Sequence, residues 1–136
     1  MIMPMEEKTM YVLGTLGTCL LLLHDFPSAS VVLDQTIRSK LVAPNEDWDI
    51  IHFAYCDACD SSIHGARYAC ATCPDFDLCA SCMARYTEEG FGVCVGHEFL
   101  RLPSDDWKAD EQTDIYTKEF VDWLKELVLR YRIADL

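Results

Sequence analysis

The chain is poor in positive charge. It carries 11 Lys and Arg against 23 Asp and Glu, a formal net charge of −12. Binding the phosphates of nucleic acid needs clustered cations, so this deficit argues against a nucleic-acid ligand and favours a basic peptide or a positively charged chain terminus. Long apolar runs are also missing. The most hydrophobic stretch, Met10–Leu23, is fourteen residues long, short of the ~20 that a membrane helix requires. It could serve as a signal-peptide core, with "SAS" at 28–30 as a crude cleavage site. Its leading segment, however, holds Glu6, Glu7 and a single Lys8 where a signal needs a positive end. A buried helix is the better expectation. No Walker loop, GxSxG, HExxH or dinucleotide fingerprint occurs, which removes the sequence signatures of the common nucleotide-binding and hydrolytic sites. No internal repeat is visible beyond recurring cysteine pairs.

Large aliphatic residues are scarce from His52 to Leu102, so that stretch cannot build much of a core by itself. Small modules of this kind need a metal or disulfides to stay folded. What it has instead is cysteine. Seven of the eight cysteines lie within 39 residues, and the ligand pattern reads C-x2-C-x10-C-x2-C-x5-C-x2-C-x11-C-x2-H, from Cys56 to His97. Repeated two-residue gaps favour zinc over disulfides, because a CxxC turn points both sulfurs at one ion. Thiolate ligation in turn implies a reducing compartment, cytoplasmic or nuclear. Eight donors make two complete tetrahedral sites, which leave no open position for substrate; the two zinc ions are expected to be structural and the protein not an enzyme. Cys19 lies outside the pattern and reads as a buried apolar thiol. Spacing alone does not say which pairs share an ion.

The flanks read as helical. Residues 1–44 form a helical N-terminal segment. Its first helix is the apolar run, weakened by Gly14 and Gly17. The second runs over "SASVVLDQTIRSKLV", with Leu33, Ile37 and Leu41 recurring on one face. The acidic linker "NEDWD" follows. Inside the cysteine module, Gly65 suggests a hairpin in "SSIHGARYAC", "DLCASCMARY" suits a short helix with Asp77 as its N-cap, and "HEFLRL" suits a strand. After the acidic stretch 103–114, an amphipathic helix is expected over 113–133, with Tyr116, Phe120, Trp123, Leu124, Leu127, Val128 and Tyr131 on one stripe. Glu126 and Arg130 would pair across one turn of it. That stripe packs either on the N-terminal helices of the same chain or on a partner. Trp48, Trp107 and Trp123 read as packing residues, and His24 as a surface or capping residue.

The stretch "YCDACDSSIHGARYACATCPDFDLCASC" resembles the ZZ-type zinc finger family. It carries CD-x-C, the I-x-G-x-R-Y-x-C hairpin and C-P-D-[YF]-D-L-C-x-x-C, followed by a closing pair and an aromatic-aliphatic strand. The resemblance covers about 52–102 and implies a small α+β fold with a cross-braced pair of zinc sites, a short β-hairpin and a short helix. Carried over by position, Cys56, Cys59, Cys79 and Cys82 would hold one zinc, and Cys70, Cys73, Cys94 and His97 the other. Where the family usually closes with two histidines, this chain has Cys94 first. A rival set would use His52 or His64 and leave Cys94 spare. With seven acids and three bases in 52–102, and sites of −2 and −1, the module would carry about −7.

Three aspartates accompany the ligands. If the first and third CxxC pairs share an ion, Asp57 and the spacer residues Asp75 and Asp77 converge, and an α-ammonium group is their natural occupant. The resemblance points the same way, since the family includes readers of free protein N-termini whose matching acids contact the amine. Asp60 could meet a basic first or second residue, and Arg67 a peptide carbonyl. Against this stands a structural reading: Asp77 caps a helix, Asp57 bonds the amides of its own knuckle, and Asp75 sits in the Pro74 turn. The function expected is therefore a zinc-binding protein-interaction module that recognises a peptide or protein N-terminus. The alternatives are a zinc-dependent component of a ubiquitin ligase, or a zinc-stabilised scaffold.

Overall fold

A computed structural model of the 136-residue chain describes residues 5–44, 48–92, 94–107 and 118–132. Helix α1 (Met5–Leu22) contains the apolar run, and Met10, Leu13, Leu20 and Leu21 are buried from it. No helix among the described residues is long and apolar enough to cross a membrane. The helix ends without a glycine. His24 takes the left-handed conformation, φ 62°, so that His24 N–H reaches Leu21 O and Asp25 N–H reaches Leu20 O. This pattern satisfies the last carbonyls in place of a C′ glycine. Asp25 then caps α2 (Phe26–Asp34), its carboxylate accepting from Ser28 N at 3.2 Å, with Pro27 in the first turn.

Helix α2 is shorter than the sequence periodicity suggests. It stops at Asp34, where Thr36 Oγ1 donates to Leu33 O. Residues Arg38–Leu41 leave the helix to form strand β1, paired antiparallel with β2 (Trp48–Tyr55). Leu33 and Ile37 are both buried, but from a helix and from the turn after it. The i, i+4 pattern was produced by two elements sharing one core. Gly17 lets α2 approach α1: a Cβ there would overlap the Leu33 side chain, whereas none would be met at Gly14.

Strand β3 (Ser62–His64) pairs with β2, giving the sheet order β1-β2-β3. A second antiparallel sheet has the order β5-β4-β6, from β4 (Arg67–Cys70), β5 (Asp77–Cys79) and β6 (Phe99–Leu102). Gly65, at φ 79°, therefore turns the chain from one sheet to the other and does not close a hairpin between its neighbours. Helix α3 (Ala80–Glu89) follows β5 directly; its N-cap is Cys79, with no side-chain cap. Asp77 is a strand residue and does not cap this helix.

Helix α4 (Lys118–Tyr131) lies against the N-terminal helices. Phe120 and Leu127 join Leu13, Leu20, Leu21, Ala29 and Val32 in one apolar cluster, with Trp123 and Leu124 packed on it. Ala69 and Ala71 of the cysteine module belong to the same cluster, so the flanking helices share a core with that module. Arg130 reaches Asp25 and Ser28 at 3.3 and 3.0 Å, where the sequence suggested Glu126, and Tyr131 Oη donates to Asp25 at 2.6 Å. Val128 stays exposed; Tyr116 and the helix onset near Thr113 lie outside the described residues, as does most of the linker between β6 and α4. The sulfur-bearing cluster is separate: Ile63, Leu78 and Tyr86 with Cys56, Cys70, Cys82 and Cys94. Two large aliphatic side chains and one tyrosine are a thin core, as the composition implied.

Candidate metal centres and the acidic cavity

Eight donors gather in two groups. Cys56, Cys59, Cys79 and Cys82 form one, and Cys70, Cys73, Cys94 and His97 the other, with all donor atoms in each group within 4.8 Å of one another. The donor separations test whether zinc fits. Four sulfurs at ~2.3 Å from one tetrahedral ion stand about 3.8 Å apart, and a sulfur and an imidazole nitrogen about 3.5 Å apart. Cys59 and Cys79 Sγ are 3.9 Å apart, and Cys94 and Cys70 Sγ 3.7 Å. His97 Nδ1 lies 3.4 to 3.5 Å from the sulfurs of Cys70, Cys73 and Cys94. No disulfide forms among these residues. The donors fit two tetrahedral zinc ions whose ligands are contributed by alternating CxxC pairs. Cys94 is a member of the second set. His52 and His64 belong to neither: His52 Nε2 is 2.6 Å from Gly65 O, and His64 Nδ1 is 2.9 Å from Asp49.

Local structure holds these donors. The amides of Thr72 and Cys73 point at Cys70 Sγ, 3.4 and 3.2 Å away. Arg85 donates to Cys82 Sγ at 3.3 Å. Tyr86 accepts from His97 N at 2.8 Å, and its hydroxyl is 3.5 Å from Cys94 Sγ. Burial pushes the Cys82 and Cys94 thiols up to about 12, so thiolates at these positions call for a bound cation to offset desolvation. Cys59 is the opposite case, brought down to about 6 chiefly by its hydrogen bond with Ser61. Cys19, far from either group, is exposed rather than buried.

The crossing brings the aspartates together. Asp57 N donates to Asp77 O at 2.8 Å, and Asp57 Oδ2 accepts from Asp77 N at 2.7 Å. Asp57 thus clamps the spacer, bonding an amide across the site rather than within its own knuckle. Asp75 occupies the turn after Pro74, with φ 53°. Asp77 and Arg67 form a buried pair, Nε to Oδ1 2.8 Å, with side chains 5% and 8% exposed respectively. Arg67 is therefore turned inward onto Asp77, with its Nε committed to that carboxylate. Burial raises the Asp77 carboxyl above its ordinary range; the Arg67 charge opposes the shift, and Asp75 and Asp57 add to it.

Asp57, Asp75 and Asp77 line one cavity of about 570 Å³, together with Glu7, Tyr11, Ser62 and the β2 residues His52–Tyr55. That volume lies within the ~300–1,000 Å³ of small-ligand sites. Asp60 is not among the lining residues. Several lining residues escaped sequence reasoning. Phe53 and Tyr55 had a signal, two exposed aromatics at strand period two beside buried His52. Glu7 and Tyr11 had none, since nothing local connects them to the cysteines.

The family model for "Zinc finger, ZZ type" matches residues 51–91. The chain is 34% identical over 67 residues to the Autophagy receptor Nbr1 of Schizosaccharomyces pombe, covering 49% of this chain and 15% of that protein. It is 39% identical over 64 residues to the Transcriptional adapter ADA2b of Arabidopsis thaliana, covering 42% of this chain and 13% of that protein. Each match thus spans only a small part of the relative's length. Cys94 and His97 lie beyond the matched segment, and the donor geometry brings them to the second site as the resemblance implied. With its sequence pattern, its mixed α+β fold and two cross-braced donor sets, the segment at 51–91 is a ZZ-type zinc finger.

Proposed function

We propose that the finger captures the free α-amino group of a peptide or protein chain on Asp57, Asp75 and Asp77, acting as a non-catalytic interaction module in a reducing compartment, cytoplasmic or nuclear. The observation that carries this reading is the shared cavity: the three aspartates line it with Glu7, and no Lys or Arg does among the described residues. A carboxylate has about four acceptor positions. Asp57 commits one oxygen to the Asp77 amide, and Asp77 commits one to Arg67. Asp75 makes no hydrogen bond or ion pair among the described residues. Acceptors therefore remain for the three N–H groups of an ammonium. Arg67 offsets one of the three charges, which leaves a negative floor.

The test is a titration of the zinc-loaded chain with one peptide in free and acetylated forms. Charge-assisted hydrogen bonds contribute ~1.5–3 kcal/mol, so the free amine should bind about 10- to 100-fold tighter. Asp75→Asn, which disturbs no internal bond, should reduce that ratio. Equal affinity for the two peptide forms would overturn the proposal.

A further inference from the structure

Helix α1 lies outside the finger and yet forms part of the cavity wall. Glu7 and Tyr11, one turn apart on the helix, both line it. The wall is anchored. Tyr11 packs edge-on against Phe53, with ring centroids 5.0 Å apart at 84°. Leu13, Leu20 and Leu21 of the same helix share an apolar cluster with Ala69 and Ala71 of the finger.

The lining has a definite chemistry. It holds four carboxylates, counting Glu7, with three aromatic rings, Tyr11, Phe53 and Tyr55, each substantially exposed. His52 also lines the cavity and is only 3% exposed. Its Nε2 faces a carbonyl, Gly65 O, and so carries the proton. The Nδ1 lone pair is then a buried acceptor, with no hydrogen-bond partner among the described residues.

We propose that α1 completes the recognition site. With the peptide amine on the three aspartates, Glu7 and Tyr11 receive a cationic side chain from one of the first two peptide residues. The cation meets the Glu7 carboxylate while its alkyl stem lies along the rings of Tyr11 and Phe53. This rests on the amine-capture reading above. It assigns to Glu7 the contact with a basic side chain that the sequence suggested for Asp60. Aromatic faces beside a carboxylate are suited to Lys or Arg, which pack their stems on apolar surface and keep the charge at its rim.

The experiment uses the full zinc-loaded chain and three otherwise identical peptides: Lys first, Lys second, and Ala at both positions. Each is measured with a free and an acetylated N-terminus. One of the Lys peptides should bind about two- to five-fold tighter than the Ala peptide, the range of a solvent-accessible ion pair. Glu7→Gln should erase that advantage and leave the free-over-acetylated ratio intact; Glu7 is exposed, so the fold should not change, and zinc content and helical circular dichroism check this. Tyr11→Ala should weaken the favoured Lys peptide relative to the Ala peptide. A Lys advantage that survives Glu7→Gln, or none in the unaltered chain, would overturn the role of α1. A Glu7-dependent Lys preference with no effect of acetylation would instead retain α1 and remove amine capture.

Discussion

Replacing Arg67 by alanine strips the partner from a carboxylate that has little water to turn to. The Asp77 side chain is 5% exposed and bonded to Arg67 at 2.8 Å, and Asp57 and Asp75 stand close enough to raise its pKa further. Breaking a buried pair from one side costs ~3–5 kcal/mol, because an uncompensated charge is left behind. Against a total stability of ~5–15 kcal/mol for a domain, that is a large fraction. We expect Arg67→Ala to lower the urea midpoint by an amount worth about 3 kcal/mol or more at fixed free zinc. The double variant Arg67→Ala, Asp77→Asn should recover at least about 1 kcal/mol, since it removes the stranded charge as well. The cycle separates the pair from general damage to the sheet. If Arg67→Ala loses under ~1 kcal/mol, the range of a surface pair, then the pair is not buried in solution and the geometry assigned to the cavity floor is wrong. A double variant no better than the single would point to lost packing of the Arg67 stem.

Three further outcomes are expected. Native mass spectrometry should find two zinc ions per chain, and Cys94→Ala should retain one, because only the second donor set loses a ligand; unchanged occupancy of two would contradict the Cys94 assignment. In helix α1, Gly14→Ala should stabilise by about 0.5–1 kcal/mol through helix propensity. Gly17→Ala should destabilise by about 1–3 kcal/mol through overlap with Leu33, and thermal melts would show the opposite signs. His52 is held down to about 4 by burial, from an ordinary 6.5. The unfolded chain therefore binds this proton first as pH falls below 6.5, and stability present above that value is lost between 6.5 and 4 at up to ~1.4 kcal/mol per pH unit. His52→Gln should lose less stability than the unaltered chain between pH 7 and 5.5 in zinc-buffered urea titrations; parallel losses would refute the buried neutral imidazole.

The zinc donors were legible because the signal is local. A two-residue gap is a property of one turn, and all eight donors occur in such pairs, three CxxC and one CxxH. Their partition between ions was not local, and it came with the family resemblance rather than from the spacing. The aspartates divided. Asp57, Asp75 and Asp77 meet as the crossing implied, but Asp77 does not cap the helix and Arg67 is turned inward, both for one reason. The β4–β5 register sets Arg67 opposite Cys79 and Ala69 opposite Asp77, which makes Asp77 a strand residue and turns both side chains inward. Helix α2 was overextended because Ile37 continues an i, i+4 pattern, while the pairing of Arg38–Leu41 with Trp48–Ile51 is a long-range fact that periodicity does not contain.

Composition and spacing by themselves determined the charge, the zinc chemistry, the need for metal in a module with few aliphatic residues, and the apolar faces of the terminal helices. These depend on residue type and on separations of a few positions. The tertiary structure decided which surfaces those faces cover and what the cavity is. It placed α4 on α1 and α2, buried Arg67 against Asp77, and brought Glu7 and Tyr11 to aspartates some 50–70 residues further along the chain. Such contacts are set by how separate elements share a core, and that is a property of the whole chain's packing rather than of any one stretch.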